Sequence, residues 1–160
     1  MRVIKVERLE SENFKKFGKL IAVEEGKKLV DNEIVTHWHE LADLNSLGEN
    51  PVVAFVNCKR RSFVLSELER HLETSEIFFP IEGQAIMVFA GSLADGSVDL
   101  DSLSAFVISE GKPFISNVGV WHWVPYPVGE SWKSFLLVSK GLVESDIEKE
   151  DLPEKFRIEL

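Results

Sequence analysis

The sequence predicts a mostly β protein with short helical additions near both ends, arranged as a β-sandwich or a small barrel. Three observations predict it. Short apolar runs recur at roughly ten-residue spacing through the middle of the chain. Those runs are rich in Val, Ile and Phe, side chains that suit a half-buried pleated surface. Turn-forming residues fall between them, which is the rhythm of sandwiches and barrels.

The N-terminal stretch MRVIKVERLE alternates charge with apolarity and reads as a strand; it has no continuous hydrophobic core of the kind a signal peptide needs. Ser11, ahead of Phe14, Phe17 and Gly18, predicts a capped helix of two turns. Leu44 to Leu47 suits a single turn. Strands are expected at Val52–Val56, Ile77–Phe79, Ala85–Ala90, Ala105–Ile108 and Phe135–Val138. Turns are expected at Glu82-Gly83, Asp95-Gly96, Gly111-Lys112-Pro113 and Val128-Gly129. Ser145 to Asp151 predicts a second short helix, halted before Pro153.

Composition narrows the function classes. The chain has 160 residues, 44% of them hydrophobic, which is enough core for one domain (residues 1–160) and leaves no room for a second. Lys and Arg number 18 against 27 Asp and Glu, a formal charge of −9 that disfavours binding to a polyanion, so no nucleic-acid partner is expected. No apolar stretch approaches the ~20 residues of a membrane helix. One cysteine, Cys58, cannot pair within the chain, which suits a reducing compartment, and a cytoplasmic location is expected.

Two stretches carry titratable groups suited to chemistry. The first runs from Glu67 to Gly83 and holds His71, Glu73 and Glu76. On a strand His71 and Glu73 share a face, and Glu76 joins them only if a bulge or turn intervenes at Thr74-Ser75. The second is Asn117-Val-Gly-Val-Trp121-His122-Trp123-Val-Pro125, where Gly119 supplies a positive φ before His122 returns on a strand. Glu67, Glu69 and Arg70 read as a surface charge ladder or a dimer-edge pairing, with Arg70 opposite His71. His37 and His39 read as strand caps, and Trp121, Trp123 and Tyr126 as packing at a barrel mouth. Cys58, ahead of Lys59, Arg60 and Arg61, is placed for a lowered pKa.

These residues resemble the cupin superfamily. Glu76 followed seven residues later by Gly83, with His71 upstream, is similar to the first cupin motif, and Gly119-Val-Trp-His122 to the second. The resemblance implies a double-stranded β-helix, a jelly-roll barrel, with His and Glu side chains converging inside it. Such a set suits one divalent ion of Mn, Ni, Zn or Fe; the metal ligands implied are His71, Glu73, Glu76 and His122.

Within that superfamily Glu67-Leu-Glu-Arg-His71, Phe79-Pro80, Gly83 and Val120-Trp121-His122 resemble the ureidoglycolate lyase family. His37-Trp38-His39-Glu40-Leu41-Ala42 and the segment from Asp99 to Val107 extend the likeness from about residue 3 to residue 155. The family implies a homodimer and a carbon–nitrogen lyase of allantoin and purine breakdown, which splits ureidoglycolate into glyoxylate and urea. His71, Glu76 and His122 are then the catalytic candidates, and Lys59, Arg70, Trp121 and Trp123 the substrate-binding ones. Family imidazoles are replaced here by Ser66, Trp123 and the Ile115-Ser116 pair, Gln by Glu76, and an Arg by Cys58, for which Lys59, Arg60 or Arg61 offers a cation. Those changes leave two alternatives: a metal-dependent cupin enzyme on another small carboxylate or sugar acid, and a non-catalytic cupin that binds a small ligand.

Overall fold

The computed structural model describes residues 1–160. The chain opens with β1 (Arg2–Arg8), the single-turn helix α1 (Ser11–Phe14), β2 (Gly18–Leu20) and a hairpin of β3 (Lys27–Asp31) and β4 (Thr36–His39). Four strands follow: β5 (Pro51–Lys59), β6 (Val64–Arg70), β7 (Glu76–Glu82) and β8 (Gln84–Ala90). The return path is β9 (Ser104–Ser109), β10 (Phe114–Ser116), β11 (Trp121–His122), β12 (Tyr126–Pro127) and β13 (Ser131–Ser139). One turn of helix, α2 (Leu142–Ser145), leads into the long strand β14 (Glu148–Glu159).

The pairing is nested. β8 pairs antiparallel with β9, β7 with β10, β6 with β11, and β5 with β13. Four strands going out and their partners coming back make the double-stranded β-helix of a cupin-type jelly roll, as expected. One sheet has the order β2-β10-β7-β13-β5. The other runs β11-β6-β14-β1-β9-β8-β12, and a further β11–β8 pairing closes it into a ring through β1 and β14.

Two cores result. Phe14, Phe17, Phe78, Phe89, Phe106 and Phe114 belong to the core between the sheets. Leu68, Val88, Trp121, Tyr126, Phe156 and Ile158 belong to the second, inside the ring. Strand β8 serves both: Ala85, Met87 and Phe89 point to the first, Ile86, Val88 and Ala90 to the second. That is why Ala85–Ala90 is apolar without alternation, since a strand buried on both faces has no polar side.

The predicted strands fall inside these elements and the predicted turns at or between their ends, and Asn45–Leu47 forms the expected single turn. Gly83, between β7 and β8, has φ +79°, and a Cβ there would lie 2.9 Å from the Ser131 carbonyl oxygen, so the turn accepts only glycine. Both helix expectations need correction. The first helix is one turn, and its N-cap is Glu10, in a capping box with Asn13. The second covers Leu142–Ser145; residues 148–159 are strand because Phe156 and Ile158 alternate into the ring core. Pro153 is tolerated in β14 because it falls where the register with β6 shifts, between Asp151 and Phe156.

Phe89 is fully buried and packs against Phe14, Phe17, Phe106 and Phe114. Truncation there opens a cavity that rigid strands cannot fill, so Phe89→Ala should lose about 3–5 kcal/mol of stability in urea unfolding. Phe55→Ala, on an exposed strand face, should lose far less. Equal losses would contradict the assignment of the core.

Candidate functional site

The site lies between the two sheets, where the chain crosses from β6 to β7. Residues 71–75 make the crossing, so His71 at one end and Glu76 at the other face each other across the interior. Glu76 Oε2 stands 3.5 Å from His71 Nε2 and 3.1 Å from His122 Nε2. His122 comes from β11, directly opposite Glu69 on β6. Cross-strand partners share a face, so Glu69 joins the group. Atoms of Glu69, His71 and His122 that can bind a metal lie within 4.8 Å of one another. Glu69, Glu76, His122 and Trp123, with Cys58 and Leu136, line a cavity of about 100 Å³; His71 contacts Glu76 without lining it.

Both rings are oriented from behind. His122 Nδ1 donates to the Val120 carbonyl at 3.0 Å, and His71 Nδ1 donates to the Asp146 carbonyl. A carbonyl only accepts, so each Nδ1 carries a proton and each Nε2 faces Glu76. Asp146, on the turn between α2 and β14, also fixes the crossing. Its carboxylate accepts from the backbone N–H groups of Leu72 (2.7 Å), Glu73 (3.1 Å) and Thr74 (3.0 Å) and from the Thr74 hydroxyl (2.8 Å). Gly119, at φ +79° as expected, donates its N–H to the His71 carbonyl at 2.7 Å.

The chain matches the ureidoglycolate lyase family model over residues 1–159. It belongs to the ureidoglycolate lyase family. Ureidoglycolate lyases of Salmonella typhimurium (strain LT2) and Salmonella newport (strain SL254) are each 30% identical to it over 138 residues, covering 83% of this chain and 84% of the relative. Distant structural likenesses include a dTDP sugar isomerase of Desulfovibrio desulfuricans G20 (14% identity, TM-score 0.49, 85% of this chain and 83% of that one). An oxalate decarboxylase of Bacillus subtilis, described with Mn(II) centres, is 21% identical at TM-score 0.40, covering 68% of this chain and 24% of that one.

The structure brings His71, Glu76 and His122 together and sets other expected site residues of this ureidoglycolate lyase family member apart. Glu73 is exposed in the crossing and outside the cluster, because the strand ends at Arg70 and alternation no longer applies beyond it. Glu69, two residues before His71, takes the place expected of Glu73 and is no surface ladder residue; its i, i+2 spacing to His71 was the available signal. Arg70 points to the opposite face, where it pairs with Glu148 at 2.8 Å, bonds Ser92 and stacks over Trp121. Trp121 is buried in the ring core, and only Trp123 reaches the cavity. Lys59 is exposed at the end of β5, Arg60 bonds the Val128 carbonyl, and Arg61 bonds the Val124 and Pro125 carbonyls. No Lys or Arg lines the cavity. His37 and His39 lie within the outlying β3–β4 hairpin. Burial pushes the Cys58 thiol up, against the pull of Arg61, so it is not the activated thiol its basic neighbours suggested.

Glu76, at 6% exposure, has in Oε2 a buried oxygen with no well-directed hydrogen-bond partner, although two imidazole nitrogens face it. Such a convergence of lone pairs is stable only with positive charge in its midst. Two imidazoles and two carboxylates fit a divalent cation on that ground; without one, the rings take up protons. Burial alone raises the Glu76 carboxyl, but His122 and His71 outweigh it and hold it down to about 2. Burial lowers both imidazoles, and Glu76 beside them raises both above their ordinary 6.5.

The depressed carboxyl stabilises the fold above its ordinary 4.5 and loses that effect as pH falls towards 2. The raised imidazoles stabilise it below 6.5 and lose that effect as pH rises through their folded values. In EDTA-treated protein this pairing should therefore stabilise most between pH 4.5 and 6.5, and Glu76→Gln should flatten the profile in urea unfolding. Identical profiles for the two proteins would show that the cluster holds no such charge.

Proposed function

We propose that this chain is itself a ureidoglycolate lyase, cleaving ureidoglycolate to glyoxylate and urea inside the jelly roll. The observation that carries this reading is the buried Glu76 carboxylate facing His122 across 3.1 Å on the wall of a cavity of small-molecule size. The substrate is a hemiaminal, so the reaction needs two proton movements. Glu76 accepts the hydroxyl proton as the carbon–oxygen double bond forms and the C–N bond breaks. His122 Nε2–H gives a proton to the departing urea nitrogen and recovers one from Glu76, which returns the pair to its starting state. His71, 3.5 Å from the same carboxylate oxygen, holds Glu76 in position.

A divalent ion of Mn, Ni, Zn or Fe would be held by Glu69, His71 and His122 beside Glu76; it would take the place of the proton on His122 Nε2 and supply Lewis acidity towards the hydroxyl oxygen, with Glu76 then carrying the hydroxyl proton to the urea nitrogen itself. The test is release of glyoxylate and urea from ureidoglycolate, with and without those metals or a chelator. The substrate decays unaided, so the His122→Ala protein is the baseline. Wild-type release at least a hundredfold above it is expected, since a positioned acid–base group contributes about 10²–10⁴. Release equal to the baseline would overturn the reading and turn attention to the other small-acid substrates. The free thiol of Cys58 accords with a cytoplasmic enzyme.

We further read the chain as a homodimer. Strand β5 is the edge of its sheet, and Val53 (69% exposed), Phe55 (51%), Phe135, Phe79 and Ile81 form an apolar outer face beside it. An open edge next to an apolar face suits a second copy. Size-exclusion chromatography with light scattering should give twice the monomer mass, and Phe55→Lys should return the monomer. A wild-type monomer would contradict this.

A further inference from the structure

The cavity poses a problem of charge. Its wall carries Glu69 and Glu76 but no Lys or Arg, while the substrate proposed above bears a carboxylate. The cations expected for this purpose are engaged elsewhere: Arg60 and Arg61 on backbone carbonyls, Arg70 on Glu148 behind the sheet. One cation approaches from a strand that sequence reasoning took for a helix. Lys149 on β14 is the cross-strand partner of Glu69, which in turn opposes His122. The three side chains therefore form one row across β14, β6 and β11, on the face that looks into the jelly roll. Lys149 Nζ lies 3.8 Å from Glu69 Oε2 and 5.5 Å from the centroid of the Trp123 ring. Both of those residues line the cavity.

We propose that Lys149 is the substrate-binding cation of this site, receiving the carboxylate of the bound acid at the cavity mouth beside Trp123. The inference rests on the site reading above. The Lys149 side chain is 56% exposed, so its ammonium keeps most of its hydration and is free to turn from Glu69 to an incoming anion. Glu69 and the face of Trp123 hold it near the mouth in the meantime, a charge contact and a cation–π contact that each cost little to exchange.

The experiment compares wild type with Lys149→Met and Lys149→Arg, using glyoxylate and oxalate as calorimetric probes and ureidoglycolate turnover as the second readout. Melting temperatures confirm folding, which exposure of the side chain leads us to expect. Loss of one charge-assisted contact should weaken binding of both acids by roughly ten- to hundredfold in Lys149→Met. It should raise KM by a similar factor, with a much smaller change in kcat. Lys149→Arg should restore most of the affinity. Equal affinity and KM in wild type and Lys149→Met would overturn the role of Lys149 while leaving the lyase reading intact. A wild type that binds neither acid and turns over no ureidoglycolate would overturn both.

Discussion

The site depends on one carboxylate that is not part of it. Asp146 accepts from three successive backbone amides and a hydroxyl in the five residues that carry the chain from one sheet to the other, while its own carbonyl fixes the His71 ring. A crossing of that length has little internal structure with which to resist fluctuation. Fastened at its middle, it holds His71 and Glu76 at a separation that neither strand alone could impose. The remaining members follow from regular pairing, since Glu69 and His122 are neighbours in a ladder.

The charge balance inside the cavity follows from the same arrangement. Two carboxylates brought within reach of two imidazoles, all mostly buried, are tolerable only as a partly protonated set or around a cation. Either form makes proton affinity in the cavity sensitive to what enters it, because an entering anion adds negative charge beside the set and favours its protonated imidazoles. A carbon–nitrogen cleavage that only relocates protons suits such a set, and the ureidoglycolate lyase family to which the chain belongs carries the name of that chemistry.

Much of the architecture was legible in the sequence, and the reasons are local. Val52–Val56, Ala85–Ala90 and Phe135–Val138 are continuous enough to be strands in any context, and Gly83 and Gly119 mark turns that need a positive φ. His71, Glu76 and His122 were legible through motif spacing. What escaped depends on the third dimension. Glu69 and Glu73 flank His71 at equal spacing, and only the end of β6 at Arg70 decides between them. The acidic run after Ser145 has a helix former's composition, yet Phe156 and Ile158 belong to a core built by strands from the opposite end of the chain. Asp146 and Lys149 meet residues more than 70 positions earlier in the sequence, from a segment read as a helix that is instead a turn leading into a strand. Nothing in their immediate surroundings marks them.

Strand β8 has a consequence for the molecule as a whole. Because successive side chains along it enter different cores, neither core has a wall of its own on that side. Loosening one exposes the back of the other, so the jelly roll and the ring that backs it cannot melt separately. The floor on which the candidate site stands therefore has the rigidity of the entire chain behind it, and a fault deep in the ring, far from any ligand, would be felt at the cavity as surely as one beside it.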